Sequence, residues 1–126
     1  MVDVDKQVAY WRDGASEDMA VARELLASGR SRHAMFFAHL ALEKALKAHV
    51  VRQTQNAPPR IHNLPRLVQL SGLEMTPDQA RLLADMNVFC MVARYPDQEC
   101  PVPEPGEIGQ YLSRAAELVQ WSMSQL

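Results

Sequence analysis

The sequence has few of the features that mark disulfide-rich, metal-binding or membrane proteins. Its only two cysteines, Cys90 and Cys100, form no CxxC pair and no cluster with histidine, which argues against a disulfide framework and a zinc site. No apolar run approaches the roughly 20 residues of a membrane-spanning helix, and the first residues lack the basic and apolar regions of a secretory signal. These absences predict a cytoplasmic protein with two reduced thiols, no metal and no membrane association.

Catalytic and cofactor-binding signatures are also missing. The chain has no glycine-rich phosphate loop and no recognisable Ser-His-Asp set, so no cofactor is expected. No segment alternates polar and apolar residues with a period of two, so no strands are predicted. With 126 residues, of which 48% are hydrophobic and 22% charged, the sequence has the size and composition of one globular domain covering residues 1–126.

Apolar residues recur at intervals of three and four along most of the chain, and all eight prolines fall outside the interiors of these periodic stretches. The pattern predicts an all-α protein, an antiparallel up-and-down bundle of four long helices plus one short helix. The predicted helices run from about Asp5 to Ser28, Ser31 to Thr54, Asn63 to near Gly72, Pro77 to about Arg94, and about Pro105 to Ser124.

Local signals set several of these helix boundaries. Gly29 suits a left-handed helix end and Ser31 can cap the helix that follows, which predicts a tight hairpin between the first two helices. Asn63 is suited to cap the short helix. Thr76 and Gln79 have the spacing of a capping box, in which each side chain accepts a backbone N–H of the other residue.

The net charge of −2 hides a strong asymmetry along the chain. Residues 30–66 hold seven basic residues and one acidic residue, a net charge of +6, whereas the rest of the chain carries −8. The same segment contains all four histidines, His33, His39, His49 and His62. One third of the chain is therefore suited to meeting an anion, unless its charges are simply solvated around a helix.

The second predicted helix has two distinct faces. Its alanine-rich face is expected to pack in the core, where small side chains let neighbouring helices approach closely. The opposite face, expected to point outward, carries Arg32, Phe36, His39, Leu40, Glu43, Lys44 and Lys47. Apolar groups among charges typify a protein contact surface, which predicts a dimer face. We assign to that dimer face Arg32, Phe36, His39 and Leu40.

Three motifs occur in order along the chain. They are Phe37-Ala38-His39-Leu40-Ala41-Leu42-Glu43-Lys44-Ala45-Leu46-Lys47-Ala48, then His62-Asn63-Leu64, then Ala93-Arg94-Tyr95-Pro96-Asp97. With these motifs the sequence resembles the HEPN domain family, specifically its small stand-alone prokaryotic members. The resemblance implies a homodimeric helical bundle, often encoded beside a minimal nucleotidyltransferase. It also implies binding of a nucleotide or RNA, and membership of a toxin–antitoxin module.

Catalytic members of this family are metal-independent endoribonucleases with an arginine, four to six residues and then a histidine near the start of a late helix. Here Arg94 is the only arginine in that region, and no histidine follows His62. The spacing occurs once elsewhere, between Arg32 and His39, but in the second helix, where the family does not place it. An enzyme is therefore the less favoured interpretation.

The predicted ligand site combines cationic and aromatic side chains from the three motifs. Lysines can offer point charges to phosphate, an arginine can bind an anion with two parallel hydrogen bonds, and a tyrosine can stack on a base. The predicted ligand contacts are Lys44, Lys47, His62, Arg94 and Tyr95, with Glu43, Asn63 and Asp97 in support. In this scheme Glu43 holds either Arg94 or His62 in place.

Structural alternatives exist for the same residues. Glu43, Arg94 and Asp97 can form an internal salt-bridge network with Lys44 solvated, and Tyr95 can be a core residue. His62 can instead bond to a neighbouring carbonyl. Three functions follow from these interpretations: a nucleotide- or RNA-binding partner of a nucleotidyltransferase, a metal-independent ribonuclease toxin, or a structural dimer without an anion site.

Overall fold

The computed structural model describes residues 2–92 and 103–126. All regular structure in these two ranges is helical, which confirms the predicted all-α bundle of four long helices and one short one. The helices are α1 (Val4–Ala27), α2 (Ser31–Thr54), α3 (Leu64–Ser71), α4 (Pro77–Val92) and α5 (Pro105–Ser124). The predicted residues Arg94, Tyr95, Asp97 and Cys100 lie outside the described ranges.

Helix α2 is the central element, because it packs against each of the other four helices. Its alanines explain this position, since small side chains allow backbones to approach closely. The fully buried ones are Ala34, Ala38, Ala41 and Ala48. Around α2 the remaining helices follow the order α1, α5, α4, α3, and each contacts the next. Helices α1 and α3 are the two ends of this order and do not contact each other.

Most helix ends follow the local signals in the sequence. The Asn63 side chain accepts the backbone N–H of Arg66 at 3.0 Å, and Thr76 and Gln79 exchange hydrogen bonds of 3.0 and 3.1 Å in a complete capping box. Such a cap typically stabilises a helix by about 1 kcal/mol. The prediction for Ser31 is wrong: Arg30 is the N-cap residue of α2, and no side chain accepts a hydrogen bond there.

The hydrophobic core has a main body and a smaller outlying cluster. The main body contains apolar residues from all five helices, whereas the outlying cluster joins Val8 of α1 to Ala48 and Val51 of α2. Trp11 packs on the edge of the small cluster and Trp121 on the main body. None of the helices in the described ranges is long and apolar enough to cross a membrane.

Candidate functional site

Glu43 is the centre of a buried polar cluster on α2. Its Oε2 atom accepts a hydrogen bond from the Nζ of Lys47 at 3.0 Å, and its Oε1 lies 3.0 Å from the Nδ1 of His62. The Nδ1 of His39 is 4.0 Å from the same Oε1 atom. His39, Glu43 and Lys47 are spaced four residues apart, so they lie in one row along the helix. Three polar side chains thus lie next to one another inside the helical bundle.

This cluster overturns the prediction that the polar face of α2 points outward. His39, Glu43 and Lys47 are all buried, and only 5% of the Lys47 surface is exposed. Burial is tolerated because the opposite charges satisfy each other and because the Lys47 Nζ lies 5.3 Å from the centre of the Trp11 ring. Arg32 and Phe36 are exposed as predicted.

The predicted place of His39 on an exposed dimer face is therefore wrong, because its ring is buried. The same burial argues against a surface ribonuclease site made of His39 and the exposed Arg32, an arrangement that the sequence already disfavoured. The physical reason is the number of neighbours around α2. A helix enclosed by four others buries part of its polar face as well as its apolar face.

Lys44 also differs from its predicted role. Its Nζ lies 2.8 Å from Oδ2 of Asp18 on α1, so the lysine is paired within the protein although 27% of its side chain is exposed. Its stem passes over Gly14, where an added Cβ would come within 3.1 Å of the Lys44 Cδ. Burial argues against Lys47 as a direct phosphate ligand, whereas the part-exposed Lys44 would have to leave Asp18 to bind one.

His62 is the most exposed predicted ligand contact among the described residues, with 50% of its side chain exposed against 27% for Lys44. Its chain neighbours are anchored on both α3 and α4. Asn63 caps α3, and the backbone N–H of Leu64 donates to Oδ1 of Asn87 on α4 at 3.0 Å. The interpretation in which His62 bonds to a neighbouring carbonyl is wrong, since its partner is the Glu43 carboxylate.

The contact fixes the orientation of the His62 ring. A carboxylate only accepts hydrogen bonds, so Nδ1 carries the proton that points to Glu43. The other ring nitrogen, Nε2, lies on the opposite edge of the imidazole and is the atom directed away from the cluster. The arrangement presents one oriented nitrogen that can accept a proton and, once it carries that proton, donate a hydrogen bond to an anionic group.

A second buried histidine has a different environment. His49 bonds through Nε2 to the backbone oxygen of Ser122 on α5 at 2.6 Å. Burial lowers the pKa of His49; the bond to Ser122 opposes this shift, and the nearby charge of Arg52 adds to it. The sequence analysis assigned no role to His49. The one feature of the sequence that indicates its burial is its position on the alanine-rich face of α2. Its ring joins two helices and is too deeply buried to meet a ligand.

Two other observations bear on ligand chemistry. Within the described ranges no group of three or more histidine, cysteine, aspartate or glutamate side chains could hold a metal ion. A shallow cavity of about 300 Å³ lies between α4 and α5, with Trp121, Arg114 and Asp78 among its lining residues. None of its lining residues belongs to the Glu43 cluster. The cluster and this cavity are therefore separate features.

Comparison with known proteins identifies a family and solved structures with the same fold. The crystal structure of TT1696 from Thermus thermophilus is 21% identical in sequence and superposes with a TM-score of 0.78. The match covers 95% of this chain and 98% of that one, which shows a shared fold. Comparison with curated proteins gives no match. The HEPN domain family model matches residues 8–126, nearly the whole sequence, and the chain thus belongs to the HEPN domain family.

Proposed function

We propose that this HEPN-domain protein binds the phosphate groups of a nucleotide or of RNA at the surface around His62. The observation that carries the proposal is the 3.0 Å contact between His62 and the buried Glu43. It holds a half-exposed imidazole in one orientation, so little conformational freedom is lost when a ligand binds. Family membership supports nucleotide- or RNA-related ligands, as the sequence motifs imply.

The charges around His62 support an anionic ligand. Lys47 neutralises the Glu43 carboxylate, which would otherwise repel a phosphate approaching the imidazole. Two exposed arginines flank His62 in the chain: Arg60 precedes it, and Arg66 stands in the first turn of α3. The wider segment 30–66 carries a net charge of +6. Such a field attracts polyanions over several ångströms.

The first test measures RNA binding by fluorescence anisotropy with a labelled single-stranded oligonucleotide. His62→Ala should weaken binding by about 10- to 100-fold, the usual value of a hydrogen bond to a charged group. His33→Ala is the matched control, because His33 is another exposed histidine of the basic segment. Its affinity should stay within about twofold of the unmodified protein. Equal losses in the two variants, or no binding by the unmodified protein, would contradict the proposal.

The proposal includes a homodimer and a protein partner. The part of α2 that holds the exposed Arg32 and Phe36 and the half-buried Leu40 supports a dimer face, without the buried His39. A minimal nucleotidyltransferase is the proposed partner, in a module of the toxin–antitoxin type. Arg94 and Tyr95 stay in the proposal as further ligand contacts, and Asp97 as a supporting residue.

Dimerisation can be tested with two matched variants. Phe36 and Val88 are both exposed apolar residues, at 38% and 48%, on different helices. Phe36→Glu should convert the dimer to a monomer in light scattering, whereas Val88→Glu should not. Co-expression with the product of the adjacent gene, followed by size-exclusion chromatography, tests the protein partner. A monomeric unmodified protein, or equal effects of both variants, would remove the dimer face from the proposal.

The Glu43–His62 pair also favours a second candidate function, metal-independent RNA cleavage. A histidine oriented by a carboxylate is the arrangement in which an imidazole acts as general base. His62 would take the proton of a ribose 2′-hydroxyl while its oxygen forms a bond to phosphorus, and Arg94 would stabilise the charge at phosphorus. The bond from phosphorus to the 5′-oxygen would break to leave a 2′,3′-cyclic phosphate, and water would supply the proton that the 5′-oxygen takes. Cleavage of RNA in the presence of EDTA, lost in His62→Ala, would favour the enzyme. If RNA stays intact after incubation with the unmodified protein, the enzyme is refuted and binding remains as the one proposed function.

A further inference from the structure

We infer that Asn87 of α4 is a further ligand contact of the site at His62, and that its side-chain amide donates a hydrogen bond to a phosphate oxygen. The inference rests on the proposed function, because it concerns the same ligand. It adds another helix to the site, since His62 lies between α2 and α3 whereas Asn87 belongs to α4.

The first step is the orientation of the Asn87 side chain. Its Oδ1 atom accepts the backbone N–H of Leu64 at 3.0 Å. A backbone N–H can only donate, so the amide oxygen and not the amide nitrogen must face it. The contact holds the side chain in place, because Leu64 is fully buried at the start of α3. The Nδ2 group is on the other branch of the planar amide and is therefore directed away from Leu64.

The second step is the state of the Nδ2 group. Asn87 is partly exposed, and within the described ranges its side chain makes one hydrogen bond, the one through Oδ1. Nδ2 is also not one of the buried polar atoms that lack a hydrogen-bond partner. Two N–H donors are thus held at the surface, where they can bind a group that accepts hydrogen bonds.

The third step is the position of Asn87 relative to His62. Leu64 follows His62 by two residues, so their Cα atoms lie at most about 7 Å apart. The Asn87 amide contacts the backbone of Leu64, and the imidazole of His62 is half exposed on the same short stretch of chain. Both side chains can therefore contact one phosphate-containing ligand.

The fourth step is the start of α3, which lies next to both side chains. Free backbone N–H groups at the start of a helix often bind phosphate. Here the donors of the first three helical positions are used or missing: Leu64 donates to Asn87, and Pro65 has no N–H. Arg66 donates to the side chain of Asn63. A phosphate at this end of α3 must therefore be bound by side chains, and Asn87 supplies two donors in place of the one it accepts.

An amide donor also complements the imidazole of His62. The His62 Nε2 donates a hydrogen bond only when the ring is protonated, whereas an amide N–H donates at any ordinary pH. Asn87 therefore supplies a hydrogen bond to phosphate that does not depend on the protonation of His62.

The experiment measures Asn87→Asp with the labelled single-stranded oligonucleotide of the first test. Aspartate keeps an oxygen that accepts the Leu64 N–H, so a purely structural role of Asn87 is preserved. It loses both Nδ2 donors, and binding should weaken about 10- to 100-fold, as expected for a hydrogen bond to a charged group. Circular dichroism checks that the helices are intact.

The matched control is Ala84→Asp, which adds the same negative charge at an exposed position of α4, three residues before Asn87. Charges at exposed positions interact weakly in physiological salt, so this variant should bind within about threefold of the unmodified protein. Equal losses of affinity in the two aspartate variants would refute the contact of Asn87, because added charge alone would explain them.

A spectroscopic readout needs no variant. In nuclear magnetic resonance spectra of nitrogen-labelled protein, the side-chain amide signals of Asn87 should shift when the oligonucleotide is added. Signals that stay in place while the oligonucleotide binds would refute the contact.

The outcomes separate this inference from the proposed function. If Asn87→Asp binds as the unmodified protein does while His62→Ala loses binding, Asn87 is refuted as a ligand contact and the phosphate site at His62 is kept. Absence of binding by the unmodified protein would refute the proposed function itself, and this inference with it.

Discussion

Two buried histidine-containing contacts of α2 differ in what they can do. At His49 the imidazole bonds to a backbone oxygen of α5, and the contact is closed off from solvent. At Glu43 the buried carboxylate bonds to His62, whose ring is half exposed. The first contact joins two helices, whereas the second presents an oriented group at the surface. A buried polar contact is thus a candidate for function when one of its members reaches solvent.

The largest effect on stability is expected from removing the charge of Glu43, the buried member of the second contact. Glu43→Gln leaves the buried Lys47 without its counter-ion, and loss of one partner of a buried pair typically costs about 3–5 kcal/mol of unfolding free energy. Urea denaturation measures this loss. Glu74→Gln, at an exposed glutamate, is the control and should change stability by less than about 0.5 kcal/mol. A loss below about 1 kcal/mol in Glu43→Gln would mean that the pair is not effectively buried.

The His49 contact should give the protein a pH-dependent stability. Its pKa in the folded state is lowered from 6.5, so the unfolded chain binds a proton more readily than the folded one. Stability should therefore fall as the pH drops below about 6.5, by no more than about 1.4 kcal/mol per pH unit from this group.

The pH effect is measured by urea denaturation between pH 7 and pH 5. In His49→Gln the residue at this position no longer titrates, and the loss of stability on acidification should become shallower. An unchanged pH dependence in that variant would assign the effect to other groups.

The smallest effect is expected at Lys44. Its pair with Asp18 is part-exposed, so Lys44→Met should cost about 0.5–1 kcal/mol, less than the change at Glu43. Thermal or urea denaturation of the two variants in parallel gives the ranking. A larger loss of unfolding free energy in Lys44→Met than in Glu43→Gln would contradict the expectation that the more deeply buried ion pair contributes more to stability.

The helix boundaries were predictable because their signals are local. The predicted limits of α2 and α5 agree with the structure at both ends, and the capping box at Thr76 forms as expected. The prediction that Ser31 caps α2 was wrong because a helix can begin without a side-chain cap. Arg30 takes the cap position without a side-chain hydrogen bond. Periodicity and caps specify where a helix lies, since they depend only on residues within a few positions of each other.

The site was only partly predictable, because it depends on how many helices surround α2. Periodicity identified the polar row but gave no reason to expect that His39 and Lys47 are buried. Glu43 was expected to hold either Arg94 or His62, and only the path of the chain before α3 brings His62 within 3.0 Å. Trp11 was not assigned to the predicted site. Its contact with Lys47 joins two helices and leaves no mark in either local sequence.

Gly14 has a consequence for how this sequence can vary. The space that its missing side chain leaves is filled by the stem of Lys44, and an added methyl group would come within 3.1 Å of that stem. The two positions therefore compete for one volume. Alanine at position 14 requires the Lys44 stem to shift by a few tenths of an ångström, and among related chains a residue larger than alanine there is expected to occur together with a shorter side chain at position 44.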